Sequence, residues 1–298
     1  ARMNMVVLDL GDAVRYNSHP EIAVEGAWSP EKLRAEVAKM REMGLEPIPK
    51  LNFSTAHDTW LKEYSRMVST RKYYEVCAGL IREVTDLFDG PRFFHLGMDE
   101  ENAANQRSHS IAILRQHELW WDDLYFLFEE VQRGGARPWV WSDKLWYEPE
   151  EFAQKMPKIA VQSNWYYGAE FNPESREARH DYGARQIRAY LKLAELGYDQ
   201  VLCGSNFYEK ALPERLPPAP PDKPDGTPWR GAVNSDRMGE WARDMLQNGQ
   251  LAREHLLGFM VAPWHPTLES HRDWHLAQVD ELQHGMELFF PAAPQQPA

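Results

Sequence analysis

Cysteine is nearly absent: Cys77 and Cys203 are the only two in 298 residues. Two thiols are too few for a disulfide framework or a cysteine zinc cage. Cys77 falls on a helical apolar stripe and Cys203 in an apolar strand, so both read as buried free thiols. Basic charge is also short, with 33 Lys plus Arg against 45 Asp plus Glu and a formal net charge of −12. Nucleic-acid binding needs a basic face, so this balance argues against a nucleic-acid partner. It argues equally against docking on an anionic membrane. No uncharged apolar run approaches the roughly 18 residues of a membrane-spanning helix.

Tryptophan is what the chain has in excess, at 12 residues. Its large flat faces serve cores, and they also suit stacking on ligands such as sugars. The rest of the composition is that of a globular protein, 43% hydrophobic and 26% charged. Short β-rich runs alternate with helical patterns. Strands are predicted at 5–10, 47–52, 92–97, 138–142, 159–164, 200–205 and 256–262. Helices are predicted at 30–43, 73–88, 109–133, 184–196, 236–248 and 271–285. Such alternation implies a parallel sheet with right-handed crossovers, so the fold class is α/β. The length fits a single (β/α)8 barrel of TIM type, about 250 residues in typical cases. Seven strand units are visible, and a missing first unit accounts for the count. One barrel domain is expected over residues 1–290, with a disordered tail at 291–298. Residues 213–228 hold seven prolines, which reads as a long loop on the catalytic face.

Barrel active sites lie at the C-terminal ends of the strands, so the residues just past each strand are the candidates. The strongest run is Phe93-Phe94-His95-Leu96-Gly97-Met98-Asp99-Glu100. Alternation along a strand puts His95, Gly97 and Asp99 on the inner face, and Phe94, Leu96 and Met98 toward the helices. Glu100 lies past the strand end, where the chain turns. Adjacent carboxylates repel, which favours holding one of them protonated for general acid work.

His95-Leu96-Gly97-Met98-Asp99-Glu100 resembles the His-x-Gly-Gly-Asp-Glu motif of glycoside hydrolase family 20, the β-N-acetylhexosaminidases. Other segments follow in the family's order. Residues 27–49 resemble its helix-to-strand segment before the motif. Trp139-Val140-Trp141-Ser142-Asp143 resembles its Gly-Trp-Asp-Glu strand, and Val161-Gln162-Ser163-Asn164-Trp165 its Val-Gln-Ser-Trp. Asn206-Phe207-Tyr208 falls where the family has a pocket tyrosine. Leu257 through Trp264, then Glu269, resembles its last strand. In this register the missing unit is the family's first strand.

The resemblance implies substrate-assisted retaining hydrolysis of a carbohydrate, without a cofactor. Glu100 would be the general acid. Asp99 would orient the substrate's 2-acetamido group, with Tyr208 as second partner. Trp141, Trp165 and Trp264 would wall the sugar pocket. Asp143 and Glu269 would accept hydrogen bonds from sugar hydroxyls, and His95 would support the acid pair. Three departures stand out: Met98 replaces the second glycine, the sugar-gripping arginine of strand one has no counterpart, and residues 9–16 lack the family's His-Leu-Thr-Asp pattern. Alternatives are a two-carboxylate glycosidase pairing Glu100 with Asp143, a carbohydrate-binding barrel without catalysis, and a divalent-metal hydrolase using His57, Asp58, His95, Asp99 and Asp143. No compact ligand motif supports the last, and His57 reads first as a loop or core histidine.

Overall fold

A computed structural model describes residues 3–175, 182–207 and 234–290. Tyr208, the proline-rich stretch 213–228 and the tail from Pro291 lie outside the described residues. Contacts divide the chain after Val161 into two compact units.

In the first unit four strands run parallel in chain order: β1 (Met5–Asp9), β2 (Glu46–Lys50), β3 (Phe93–His95) and β4 (Arg137–Trp141). β1 and β2 pair along their whole length, from Met5 opposite Glu46 to Asp9 opposite Lys50. β2 meets β3 only at Lys50 opposite His95. Its prolines explain this. The Glu46 N–H bonds to Asn4 on the β1 side and the Leu51 N–H to His95 on the β3 side. Alternation therefore points the positions of Pro47 and Pro49 at β3, and neither has an N–H to give.

Five helices follow these strands: α1 (Pro30–Glu42), α2 (Arg71–Leu87), α3 (Glu118–Arg133), α4 (Lys144–Tyr147) and α5 (Pro149–Lys155). The Ser29 hydroxyl accepts from the Lys32 N–H at 3.2 Å, and Pro30 starts α1 where its missing N–H costs nothing. Thr70 caps α2 in the same way. Tyr73, Val76, Cys77, Leu80, Ile81 and Val84 form the buried stripe of α2, so Tyr73 takes a core place and Tyr74 is only half-buried.

The helix predicted from residue 109 begins instead at Glu118. Side chains capture the backbone ahead of it: the Ile113 N–H bonds to Gln106 and the Arg115 N–H to Glu101. His117, at φ +54°, then breaks any helical approach. Helical turns at Asp58–Arg66, α4 and α5 add to the predicted elements.

The second unit begins within β5 (Val161–Ser163) and holds β6 (Gln200–Gly204) and β7 (Leu256–Val261), again parallel. Its helices are α6 (Gly183–Glu195), α7 (Asn234–Gln247) and α8 (Arg272–Phe289). Ile187 and Tyr190 of α6, Leu202 of β6, Met238 of α7 and Phe289 of α8 share one core. Cys77 and Cys203 are both buried free thiols. Among the described residues no helix is long and apolar enough to cross a membrane.

Candidate active site

The C-terminal ends of β2, β3 and β4 each release a short segment, and the three segments meet. Past β2 come Asn52, Ser54 and His57. Past β3 come Gly97, Met98, Asp99 and Glu100. Trp141 ends β4, and Asp143 follows it. The strand β3 stops at His95, two residues earlier than its sequence suggests. Alternation therefore does not carry on to Asp99. Gly97 stands at φ +71°, Met98 at +70° and Glu100 at +58°, so the acids are placed by a left-handed turn rather than by strand parity.

His95 sets the base of that turn. It is fully buried, with its ring 5.2 Å from that of Trp139 and 4.9 Å from that of Trp141. Burial, aided by the charge of Lys50, holds its pKa well below the usual histidine value. The ring is then neutral, and Nδ1 accepts a hydrogen bond from the Gly97 N–H at 3.0 Å. The bond ties His95 to the backbone two residues before Asp99.

Asn52 is the clamp. Its Nδ2 donates to Asp99 Oδ1 at 2.8 Å. Its Oδ1 accepts from the Ser54 N–H at 3.0 Å and the Met98 N–H at 3.3 Å. The Ser54 hydroxyl donates to the Asp99 carbonyl. No room remains for a side chain at Gly97, where a Cβ would lie 1.9 Å from Asn52 Oδ1. Gly97→Ala combines that clash with left-handed strain, and a loss of about 2–4 kcal/mol is expected. Gly44 is the control: its φ is +80° and nothing lies within 4 Å of its Cβ position. Gly44→Ala should lose only about 1–2 kcal/mol. Urea unfolding of both variants checks this, and equal losses would show that Asn52 yields freely.

The two acids differ in environment. Asp99 is buried, whereas the Glu100 side chain is 43% exposed. His57 Nε2 lies 3.4 Å from Asp99 Oδ2 and 3.3 Å from Glu100 Oε2. Burial works against the charge of His57, but its hydrogen bonds to both acids and their charges prevail and raise its pKa to about 10. The imidazole is thus positive at neutral pH. Burial also pushes Asp99 up, yet the bond and charge of His57, with Lys50 and Asn52, outweigh it and hold the carboxyl below its usual value.

The carboxyl that is pushed well up is Asp143, by burial first and by the charge of Asp99 second. The upward push that carboxylate crowding was expected to give within the acid pair is therefore seen on a third acid, while Asp99 moves down. Asp143 Oδ2 accepts from the Glu100 N–H at 2.7 Å. Its Oδ1 is buried without a hydrogen-bond partner among the described residues.

His95, Asp99, Glu100, Trp141 and Asp143 are thus brought together in the first unit. His57, weighed from sequence only as a metal ligand, joins them, as do Asn52 and Ser54, which sequence reasoning missed. Their signal was available: all three follow the C-terminal end of β2, where a barrel displays functional side chains. His57, Asp99 and Glu100 each offer one ligand atom within 4.8 Å of the others, the one such group among the described residues. These atoms already share the His57 proton, so a cation there would have to displace it.

The remaining candidates belong to the second unit. Trp165 is buried and bridges to Cys203. Trp264 is exposed, at φ +55°, and its indole N–H donates to the Tyr167 hydroxyl at 2.9 Å. Glu269 opens a short 3-10 turn, its side chain 87% exposed and 3.6 Å from Arg272.

No protein-family model and no curated protein matches the chain. Solved structures do. A GH20 exo-β-N-acetylglucosaminidase from Vibrio harveyi, in complex with N-acetylglucosamine, aligns over 99% of this chain with a TM-score of 0.61 at 16% identity. The N-acetyl-β-hexosaminidase of Streptomyces plicatus, in complex with thio-NAglucal, aligns over 98% with the same TM-score and identity. The chain shares the fold of these structures. That fold is a (β/α)8 barrel of TIM type.

The likeness extends to a family 5 glycoside hydrolase from Prevotella bryantii, with a TM-score of 0.53, 11% identity and 95% of this chain covered. The chain spans 50% of the Vibrio structure and 59% of the Streptomyces one, and it covers 82% of the Prevotella structure. Against the family 20 motif, Met98 is the departure the backbone explains. At φ +70° it stands in a conformation that glycine adopts freely, so the motif's second glycine answers a requirement of the turn.

Proposed function

We propose that the chain is a glycoside hydrolase that removes a terminal 2-acetamido sugar with retention of configuration. The observation that carries the reading is the unequal pair of consecutive acids. Asp99 is buried and held ionised, and Glu100 is open to solvent, with His57 against both.

In the proposed reaction Glu100 gives a proton to the glycosidic oxygen as the bond to the anomeric carbon breaks. The carbonyl oxygen of the substrate's own acetamido group forms a new bond to that carbon, closing an oxazolinium ring. This is the substrate-assisted exception to the two-carboxylate scheme. Asp99 accepts the amide N–H, and its negative charge stabilises the positive ring. Asn52 fixes the Asp99 oxygen it bonds, which removes reorganisation from the step. The positive His57 steadies the carboxylate that Glu100 becomes. Water then opens the ring, with Glu100 taking back a proton. Asp143 Oδ1, buried and unpartnered, is suited to a sugar hydroxyl.

The two-carboxylate reading asks Asp143 to act as an ionised nucleophile. Burial and Asp99 both oppose that charge, so the geometry favours the acetamido route. Release of an aryl group from a β-N-acetylglucosaminide and from a matched β-glucoside decides between them. Cleavage of the acetamido sugar alone is expected. Equal cleavage of both would overturn the substrate-assisted route, and cleavage of neither would overturn the hydrolase reading.

A further inference from the structure

The four strands of the first unit carry a row of residues on one face that the proposed reaction leaves unused. Asp9 ends β1 opposite Lys50, which ends β2. Lys50 stands opposite His95, and His95 opposite Trp139 of β4. The chain stays extended just beyond β2, because the Leu51 and Phe53 N–H groups both bond to the β3 side, at His95 and Leu96. Alternation therefore puts Asn52 on the face of Lys50, one step further along. Asn52 is the residue that clamps Asp99. The row thus lies one layer beneath the acid turn.

We infer that Lys50 is a positioning residue of the reaction: its buried ammonium supplies the positive field beneath the turn that keeps Asp99 an anion ready for the substrate's amide. The inference rests on the hydrolase reading above and adds to it a residue that acts through Asp99 rather than on the sugar.

Three observations support it. First, the ion pair in the row is unequally buried. Lys50 Nζ donates to Asp9 Oδ2, yet the Lys50 side chain is 6% exposed and that of Asp9 52%. Water screens an exposed charge with a dielectric constant of about 80, whereas a charge inside the protein acts through an effective value of about 20. Within the sheet the cation therefore outweighs its partner.

Second, the same cation suits the residue next to it in the row. Burial and the charge of Lys50 keep His95 neutral. Only a neutral ring can accept the Gly97 N–H at Nδ1, because both nitrogens of a charged one are donors. One ammonium thus preserves the bond at the foot of the turn and favours the carboxylate at its top.

Third, the other charges around Asp99 do not replace it. Glu100 beside it and Asp143 from the β4 side are both acids, and the charge of Asp99 already pushes Asp143 up. His57 is a cation, but it lies between Asp99 and Glu100 and its side chain is 37% exposed. When Glu100 gives up its proton in the proposed reaction, His57 is drawn toward the new charge. Lys50 stays with Asp99.

Three variants test this. Lys50→Met removes the charge at similar length, Lys50→Arg keeps it, and Asp9→Asn removes the exposed partner. Loss of the cation makes the Asp99 carboxylate harder to form, so Asp99 protonates at higher pH. The acid limb of kcat/KM on an aryl β-N-acetylglucosaminide is expected to move to higher pH in Lys50→Met and to stay in place in Lys50→Arg. It should move to lower pH in Asp9→Asn, where the cation acts unopposed. At a fixed pH below the limb, each whole pH unit of movement changes the rate by about tenfold. A merely structural lysine would lower the rate at every pH alike.

The Asp99 carboxyl is also followed by carbon NMR through a pH titration, its signal assigned with Asp99→Asn. That readout needs no turnover. The same three directions are expected there even if no glycoside is cleaved, so the failure of the reaction and the failure of the inference are separable. The inference is overturned if Asp99 titrates alike in the native protein and in folded Lys50→Met, or if folded Lys50→Arg moves it as far as Lys50→Met does. Should Lys50→Met not fold, Asp9→Asn decides alone, and an Asp99 titration that stays in place there overturns the inference.

Discussion

Glu100→Gln is expected to lower kcat on an aryl β-N-acetylglucosaminide with a poor leaving group by about 10²–10⁴-fold, the usual yield of general acid catalysis. The amide keeps the shape and the exposure of the side chain but has no proton of the right acidity to give. The test with the sharper edge varies the leaving group. A dinitrophenolate departs without needing a proton, so the loss in Glu100→Gln should shrink steeply on that substrate. A loss of equal size on both substrates would mean that Glu100 holds the site together rather than supplying the proton. Asp99→Asn should behave differently. In the proposed reaction its charge faces the oxazolinium whatever the leaving group is, so both substrates should suffer alike.

Arg115→Met is expected to be the most destabilising single change in the first unit. The guanidinium is buried, with Nη1 2.8 Å from Glu101 and Nε 2.7 Å from Asp123. Nη2 donates to the Phe53 carbonyl at 3.0 Å and to the Tyr73 hydroxyl at 2.9 Å. Asp123 also accepts from Ser69 at 2.9 Å and from Tyr74. One cation thus joins the segment after β2, the helices α2 and α3, and the loop beyond the acid pair. Removing it leaves two buried carboxylates with no cation, a loss of about 3–5 kcal/mol. For a protein of this size that is roughly 10 °C in melting temperature. Arg115→Lys should recover part of the loss, since an ammonium restores charge but cannot span four partners. Adding Glu101→Gln and Asp123→Asn to Arg115→Met should recover more, because the stranded charges go with it. A melting temperature unchanged in Arg115→Met would show that water reaches the cluster.

The strand–helix alternation was legible because local patterns encode it. Ser29-Pro30 starts α1 as read, and the β4 run ends at Trp141, one residue short of the prediction. That Asp99 and Glu100 follow a strand end was legible from the run that contains them. What sequence could not supply depended on contacts between segments far apart. His57 looks like any loop histidine until the β3 turn brings two acids to it. The upward shift expected from carboxylate crowding falls on Asp143, because burial is a property of the folded chain. The helix expected from residue 109 starts late because Glu101 and Gln106 take the backbone of the loop ahead of it. The approach of Gly97 to Asn52 likewise joins positions 45 residues apart in the sequence.

Met98 shows how a motif can drift while its turn persists. A non-glycine residue in left-handed backbone costs about 1–2 kcal/mol. The Met98 side chain is 2% exposed, and its sulfur lies 3.8 Å from the Arg115 guanidinium. Burying a methionine returns about 1.5–3 kcal/mol. The two quantities are of similar size, so glycine and methionine are close to interchangeable here in stability, though they look nothing alike in sequence. A spelling can therefore change at this position with little effect on fitness for folding, provided that an apolar pocket stands ready behind the turn. Relatives of this chain are better sought by that pocket and by the backbone of the turn than by the letters of the motif.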